Sequence, residues 1–186
     1  MKKQPEVTEA TRNAFIKVFC ELYETKPIEK ITVREITEKA GYSRVTFYNY
    51  FKDPYDILEH IEKIFIAYVA DLASANILTG DPLDHFIKSF TEAVRAKESF
   101  GLVLFKSPYN SQFINHFKDA LLPMLMTAFK ISPENLHVIY TLEFYIPGMI
   151  STFSRWVRNE NEMTIEQLAE LLKSIIEEGI SVQISK

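Results

Sequence analysis

A threonine, a glycine and a serine punctuate TVREITEKAGYSRVTFYNYF, the stretch from Thr32 to Phe51, and they leave the backbone few choices there. Thr32-Val33-Arg34-Glu35 has the form of a capping box, in which the Thr32 hydroxyl and the Glu35 carboxylate can satisfy free amides of a starting helix. Gly41 ends that helix, because it takes positive φ without a Cβ clash. Ser43 offers a second N-cap, and Val45 to Phe51 continues with Phe47, Tyr48 and Phe51 spaced to face a core. Ile36 and Ala40 supply apolar contacts from the helix before the turn. Two short helices joined by a tight glycine turn are therefore predicted, the pattern of a helix-turn-helix.

The exposed face of the second helix is expected to carry Arg44, Val45, Thr46, Tyr48, Asn49 and Tyr50. An α-helix fits the major groove of B-DNA, where arginine can bond guanine bidentately and threonine or aliphatic methyls can touch thymine. Tyrosine hydroxyls suit phosphates, which position a protein without reading sequence. The plainer alternative is two packed helices with an ordinary capping turn and no partner.

Helical periodicity extends along the whole chain. Thr8 to Thr25 sets Ala14, Phe15, Val18, Phe19, Leu22 and Tyr23 in one apolar stripe, ended at Lys26-Pro27. Asp53-Pro54 is a further start signal, a capping carboxylate followed by proline at the first helical position, and that helix is expected to reach about Ile77. After Gly80-Asp81-Pro82, residues Leu83, Phe86, Ile87, Phe90 and Val94 form another apolar face. Breaks are expected near Ser99 to Tyr109, Ser132-Pro133 and Asn159 to Thr164, with periodic runs over Ser111 to Lys130, Pro133 to Arg158 and Thr164 to Val182. The sum is an all-α fold of about nine helices, with no strand signal. Five glycines and eight prolines are too few for a chain of many tight β-turns, and 47% hydrophobic with 13% aromatic residues supply a real core.

Charge narrows the partners. The net charge of −4 argues against broad electrostatic coating of nucleic acid or acidic membrane. Locally the balance reverses, since Lys26 to Tyr55 holds six basic against four acidic side chains. Asn135 to Ser154 is too polar for a membrane span, the N-terminus lacks a signal-like apolar stretch, and Cys20 is the single cysteine, so a cytoplasmic protein without disulfides is expected.

Residues 8 to 60, above all the segment from Thr32 to Phe51 followed by Lys52-Asp53-Pro54-Tyr55-Asp56-Ile57-Leu58, resemble the DNA-binding domain of the TetR family of transcriptional regulators. The glycine position and the trailing Thr46-Phe47-Tyr48-Asn49-Tyr50-Phe51 carry the match. The resemblance implies a homodimer with an N-terminal helix-turn-helix DNA-binding domain, here residues 1–53, and a larger C-terminal regulatory domain for effector binding and dimerisation, here residues 54–186. By position, Arg34, Arg44, Val45, Thr46 and Asn49 face bases or the groove, with Ser43 at the cap. Thr32, Tyr48, Tyr50 and Lys52 approach phosphates. The family usually places a lysine at the start of the fourth helix, where this chain has Pro54.

In the C-terminal region most aromatics are expected to fill the core, while Phe86, Phe90, Phe105, Phe113, Phe117, Tyr140 and Phe144 are candidates to line an apolar ligand pocket. Glu143, on the helix face of Leu136, Ile139 and Tyr140, needs a partner: an arginine, a tyrosine or water at an interface, or else a ligand's polar group. Pro147-Gly148 predicts a kink. The last helix has a stripe wider than one neighbour requires, and Leu168, Leu172, Ile175 and Ile176 with Phe153, Trp156 and Val157 suggest a four-helix intersubunit bundle. Packing of both faces within one chain is the alternative.

Enzyme signatures are missing. The glycines are too dispersed for a phosphate-cradling loop, Gly41 to Val45 lacks the last glycine of a nucleophile elbow, and His60, His85, His116 and His137 have no metal-ligand spacing. No cofactor and no metal are expected. The chain reads as a cytoplasmic, dimeric repressor released from a palindromic double-stranded DNA operator by a small apolar or amphipathic effector. Two rivals remain open: a regulator whose C-terminal domain docks a protein partner, and an all-helical enzyme or ligand carrier with an incidental helix-turn-helix.

Overall fold

The computed structural model describes residues 5–76, 102–109, 111–128, 130–159 and 162–184. Among these are eight α-helices and no strand, so the protein is all-α. The helices are α1 (Pro5–Tyr23), α2 (Val33–Ala40), α3 (Arg44–Tyr48), α4 (Pro54–Asn76), α5 (Leu102–Lys106), α6 (Ser111–Ala128), α7 (Leu136–Arg158) and α8 (Ile165–Ile184), with a 3-10 turn over Ile28–Lys30. The helix expected around Leu83 to Val94 lies outside the described residues. Helix α5 falls where the sequence predicts only a break: its single turn is too short for a period, and Val103, Leu104 and Phe105 are all buried. No helix among the described residues is long and apolar enough to cross a membrane.

The chain forms two compact units, Met1–Ile64 with Phe100–Asn110, and Phe65–Ser99 with Ser111–Lys186. In the first, the α1 stripe of Phe15, Phe19, Leu22 and Tyr23 is buried together with Ile36, Phe47, Phe51, Ile57 and Leu58. Phe15 is the hub: its ring centroid lies 5.2 Å from Tyr42 and 5.3 Å from Phe47, the latter edge-on. Each such ring removed from water stabilises the fold by about 1.5–3 kcal/mol.

In the second unit Phe113 and Phe117 stack at 5.4 Å on one face of α6, and Phe117 meets Phe65 at 5.7 Å. Helix α7 buries Val138, Leu142, Ile146, Ile150, Phe153 and Val157, and α8 buries Leu168, Leu172 and Ile176. The connection between them is fastened by the Trp156 indole, which donates to the Met163 carbonyl at 2.8 Å. A reciprocal cap opens α8: Thr164 N–H donates to Gln167 Oε1 at 2.8 Å and Gln167 N–H to Thr164 Oγ1 at 3.2 Å. Helix α7 continues through Pro147, which deprives the Glu143 carbonyl of its intrahelical donor.

Candidate nucleic-acid interface

Thr32 caps α2, its hydroxyl accepting from Glu35 N–H at 3.2 Å. The reciprocal half of the expected box does not form. Glu35 instead accepts from the Lys26 ammonium at 2.5 Å, a charge-assisted bond that outbids a neutral amide. Gly41 ends the helix at φ 74° and ψ 26°. The Gly41 and Tyr42 amides both donate to the Thr37 carbonyl, which turns the chain sharply. A Cβ built on Gly41 meets nothing within 4 Å, so glycine is required there by backbone conformation alone.

Ser43 then caps α3, accepting from Thr46 N–H at 3.0 Å, and its oxygen lies 2.9 Å from the Thr46 hydroxyl. Phe47, fully buried, pins the helix to the core. The next cap follows directly: Asp53 accepts from Asp56 N–H at 2.9 Å while Asp56 accepts from Lys52 N–H at 2.8 Å. Pro54, on the site where the family usually has lysine, is buried.

Arg44, Val45, Tyr48 and Asn49 are exposed, and Thr46 is half-buried. This face is narrower than the sequence suggests. The helix stops at Tyr48 because the turn tightens, with Tyr50 N–H donating to the Phe47 carbonyl at 2.9 Å, and Tyr50 swings back to lie 6.1 Å from the Phe15 ring. Tyr50 is thus half-buried rather than on the open face. Exposed Thr32 and Lys52 flank the turn. The Arg34 Nε donates to Glu38 at 2.7 Å, whereas Arg44 and Lys52 make no ion pair among the described residues. His60 packs edge-on against Phe51 at 5.8 Å, and partial burial, then the charge of Arg12, push its pKa down.

The candidate ligand residues are distributed. Phe86 and Phe90 lie outside the described residues. Phe105 is buried in the first unit, and Phe113 and Phe117 are buried with Phe65 in the second. Tyr140 and Phe144 are exposed and, with Leu136, His137, Thr141 and Tyr145, line a hollow of about 590 Å³ open to solvent. Glu143 finds its partner in Lys118, whose ammonium lies 2.9 Å away and has its pKa raised by that hydrogen bond. Of the candidate interface residues, Phe153, Val157, Leu168, Leu172 and Ile176 are buried within the single chain, Trp156 is half-buried, and Ile175 is exposed. Leu171, not singled out by the sequence, is exposed one turn before Ile175.

Two family models match. Bacterial regulatory proteins, tetR family, covers residues 15–61, and a transcriptional regulator C-terminal region, TetR_C_8, covers residues 80–178. No curated protein matches the chain. Among solved structures, a TetR transcriptional regulator from Streptococcus agalactiae 2603V is 17% identical at a TM-score of 0.64, over 92% of this chain and 96% of that one. The fatty acid degradation regulator FadR from Bacillus halodurans is 13% identical at 0.63, over 95% and 96%. The dihydroxyacetone kinase operon activator DhaS is 17% identical at 0.61, over 92% and 97%. At these identities the likeness is one of fold.

Proposed function

The chain belongs to the TetR family of bacterial transcriptional regulators, which are not enzymes, and on that premise we propose that it is a homodimeric repressor, released from a palindromic operator by a small apolar or amphipathic effector. The observation that carries the DNA-binding part is α3 itself: Phe47 faces the core, and the opposite side offers the Arg44 guanidinium, the Val45 methyls and the Tyr48 ring to solvent. In a major groove Arg44 bonds a guanine, Val45, Thr46 and Asn49 meet neighbouring base edges, and Arg34 reaches in from α2. Thr32, Tyr48, Tyr50 and Lys52 take phosphates and set the register, with Ser43 holding the start of α3.

One α3 spans too few base pairs for operator selectivity, and two copies must enter successive major grooves about 34 Å apart. The exposed apolar side chains of α7 and α8, Tyr140, Phe144, Leu171 and Ile175 among them, support the pairing of two chains. An effector that prefers the arrangement with the wrong α3 spacing weakens DNA binding by its differential affinity.

The test is competition between a palindromic duplex from near the protein's own gene and random duplex, across salt concentrations. Preference for the palindrome at each salt concentration is expected; equal affinities would refute the proposal. The openness of the hollow beside Tyr140 and Phe144 favours a second reading, in which a protein partner replaces the small molecule. Operator release by a metabolite pool stripped of protein separates the two.

A further inference from the structure

We infer that α3 selects its DNA through the C5-methyl groups of thymine, with Val45 as the reading side chain; this rests on the DNA-binding reading above. Val45 is 75% exposed on a five-residue helix whose core contact is made by Phe47, so folding gains little from an aliphatic residue there. Its β-branch limits χ1, which holds both methyls in place before any DNA arrives.

The neighbours are arranged to the same end. The Thr46 hydroxyl is turned onto Ser43 Oγ at 2.9 Å, leaving its methyl as the unengaged group. The Val45 and Thr46 methyls have nothing to offer the donor and acceptor edges of guanine, cytosine or adenine. Thymine alone presents a methyl in the major groove. Arg44, beside these methyls and without an ion pair among the described residues, is left for guanine. The selected half-site is therefore expected to pair a thymine at the Val45 position with a guanine next to it.

Full-length protein is used to select duplexes from a random pool, and the winning duplex is remade with uracil in place of thymine at each position in turn, which removes the methyl and nothing else. Burying one methyl is worth about a fourfold change in affinity, so one uracil in a half-site should weaken binding about fourfold and its two-fold mate about fifteenfold in total. With Val45→Ala the same substitution should cost less than twofold, while thermal unfolding of the variant stays unchanged. If no sequence is enriched from the pool, the DNA-binding reading itself fails. If a sequence is enriched but every uracil copy binds within twofold of the parent, or if the uracil cost is the same in Val45→Ala, the methyl inference alone is overturned.

Discussion

The Tyr23 hydroxyl donates to the Tyr109 carbonyl at 3.1 Å, and the buried Ser107 hydroxyl donates back to the Tyr23 carbonyl, also at 3.1 Å. Tyr23 is the last residue of α1, so its carbonyl is one that the helix leaves without an internal donor. A serine more than eighty positions away in sequence supplies it, and thereby makes the α5 segment part of the first unit. Ser107→Ala removes the donor and leaves that carbonyl buried and unpaired, so it should destabilise the protein by about 1–3 kcal/mol. Tyr23→Phe should cost about 1 kcal/mol. Urea denaturation followed by circular dichroism measures both, and the double variant should cost less than their sum, because the two bonds share one clasp.

At Gly41 the prediction turns on φ. Alanine fits the space but not the conformation, so Gly41→Ala should destabilise by about 1–2 kcal/mol. Gly41→Asn, whose side chain tolerates the left-handed region, should recover part of that loss. Equal costs for the two variants in thermal unfolding would point to a clash instead of backbone strain.

Arg44 and Tyr48 separate reading from holding. Arg44→Ala should relax preference at one operator position by about 1–3 kcal/mol, while Tyr48→Ala should weaken binding to all duplexes alike. Both side chains are exposed, so stability should change by no more than about 0.5 kcal/mol. Fluorescence anisotropy against the selected duplex and its single-position variants distinguishes the two effects.

What the sequence makes legible is what depends on neighbours along the chain. Thr32, Gly41, Ser43 and Asp53-Pro54 each answer a demand of the next three or four residues, and each caps or turns the backbone where expected. Partners from elsewhere are not legible: Glu35 is taken by Lys26 and Glu143 by Lys118, because the strongest available cation is set by tertiary placement. The same limit applies to α5, whose burial comes from long-range packing rather than from any period in Leu102–Lys106. It applies to α8 too, where periodicity reveals a wide apolar stripe but not which edge of it the monomer uses.

The half-buried Cys20 thiol and the buried Tyr23 hydroxyl make the first unit's stability depend on pH on the alkaline side. Burial, then Glu24 and Glu21, push the Cys20 pKa up to about 12 from an ordinary value near 9, and burial raises Tyr23 above 10. Both fold with the proton held more tightly than in the unfolded chain. Their contribution is therefore fully present below pH 9 and is lost as pH climbs towards 12. Stability measured between pH 8 and pH 11 should fall, and Cys20→Ala should flatten that fall. In the native protein at pH 8 a thiol-specific reagent should label Cys20 far more slowly than a free thiol, because so little of it is thiolate.

Leu168 and Ile175 lie on the same helix and should fail in opposite ways. Leu168, 2% exposed, is buried within the monomer, so Leu168→Ala leaves a cavity and should destabilise the second unit by about 2–5 kcal/mol. Ile175 is 44% exposed beside Leu171, and an aspartate there meets water in the monomer but a desolvated apolar surface in the proposed dimer. Ile175→Asp should keep the helical circular dichroism spectrum while shifting sedimentation from dimer to monomer. Operator affinity should drop with it, because a single α3 makes half the contacts and loses the second groove. A variant that stays dimeric and binds its operator normally would place the subunit contact on another face.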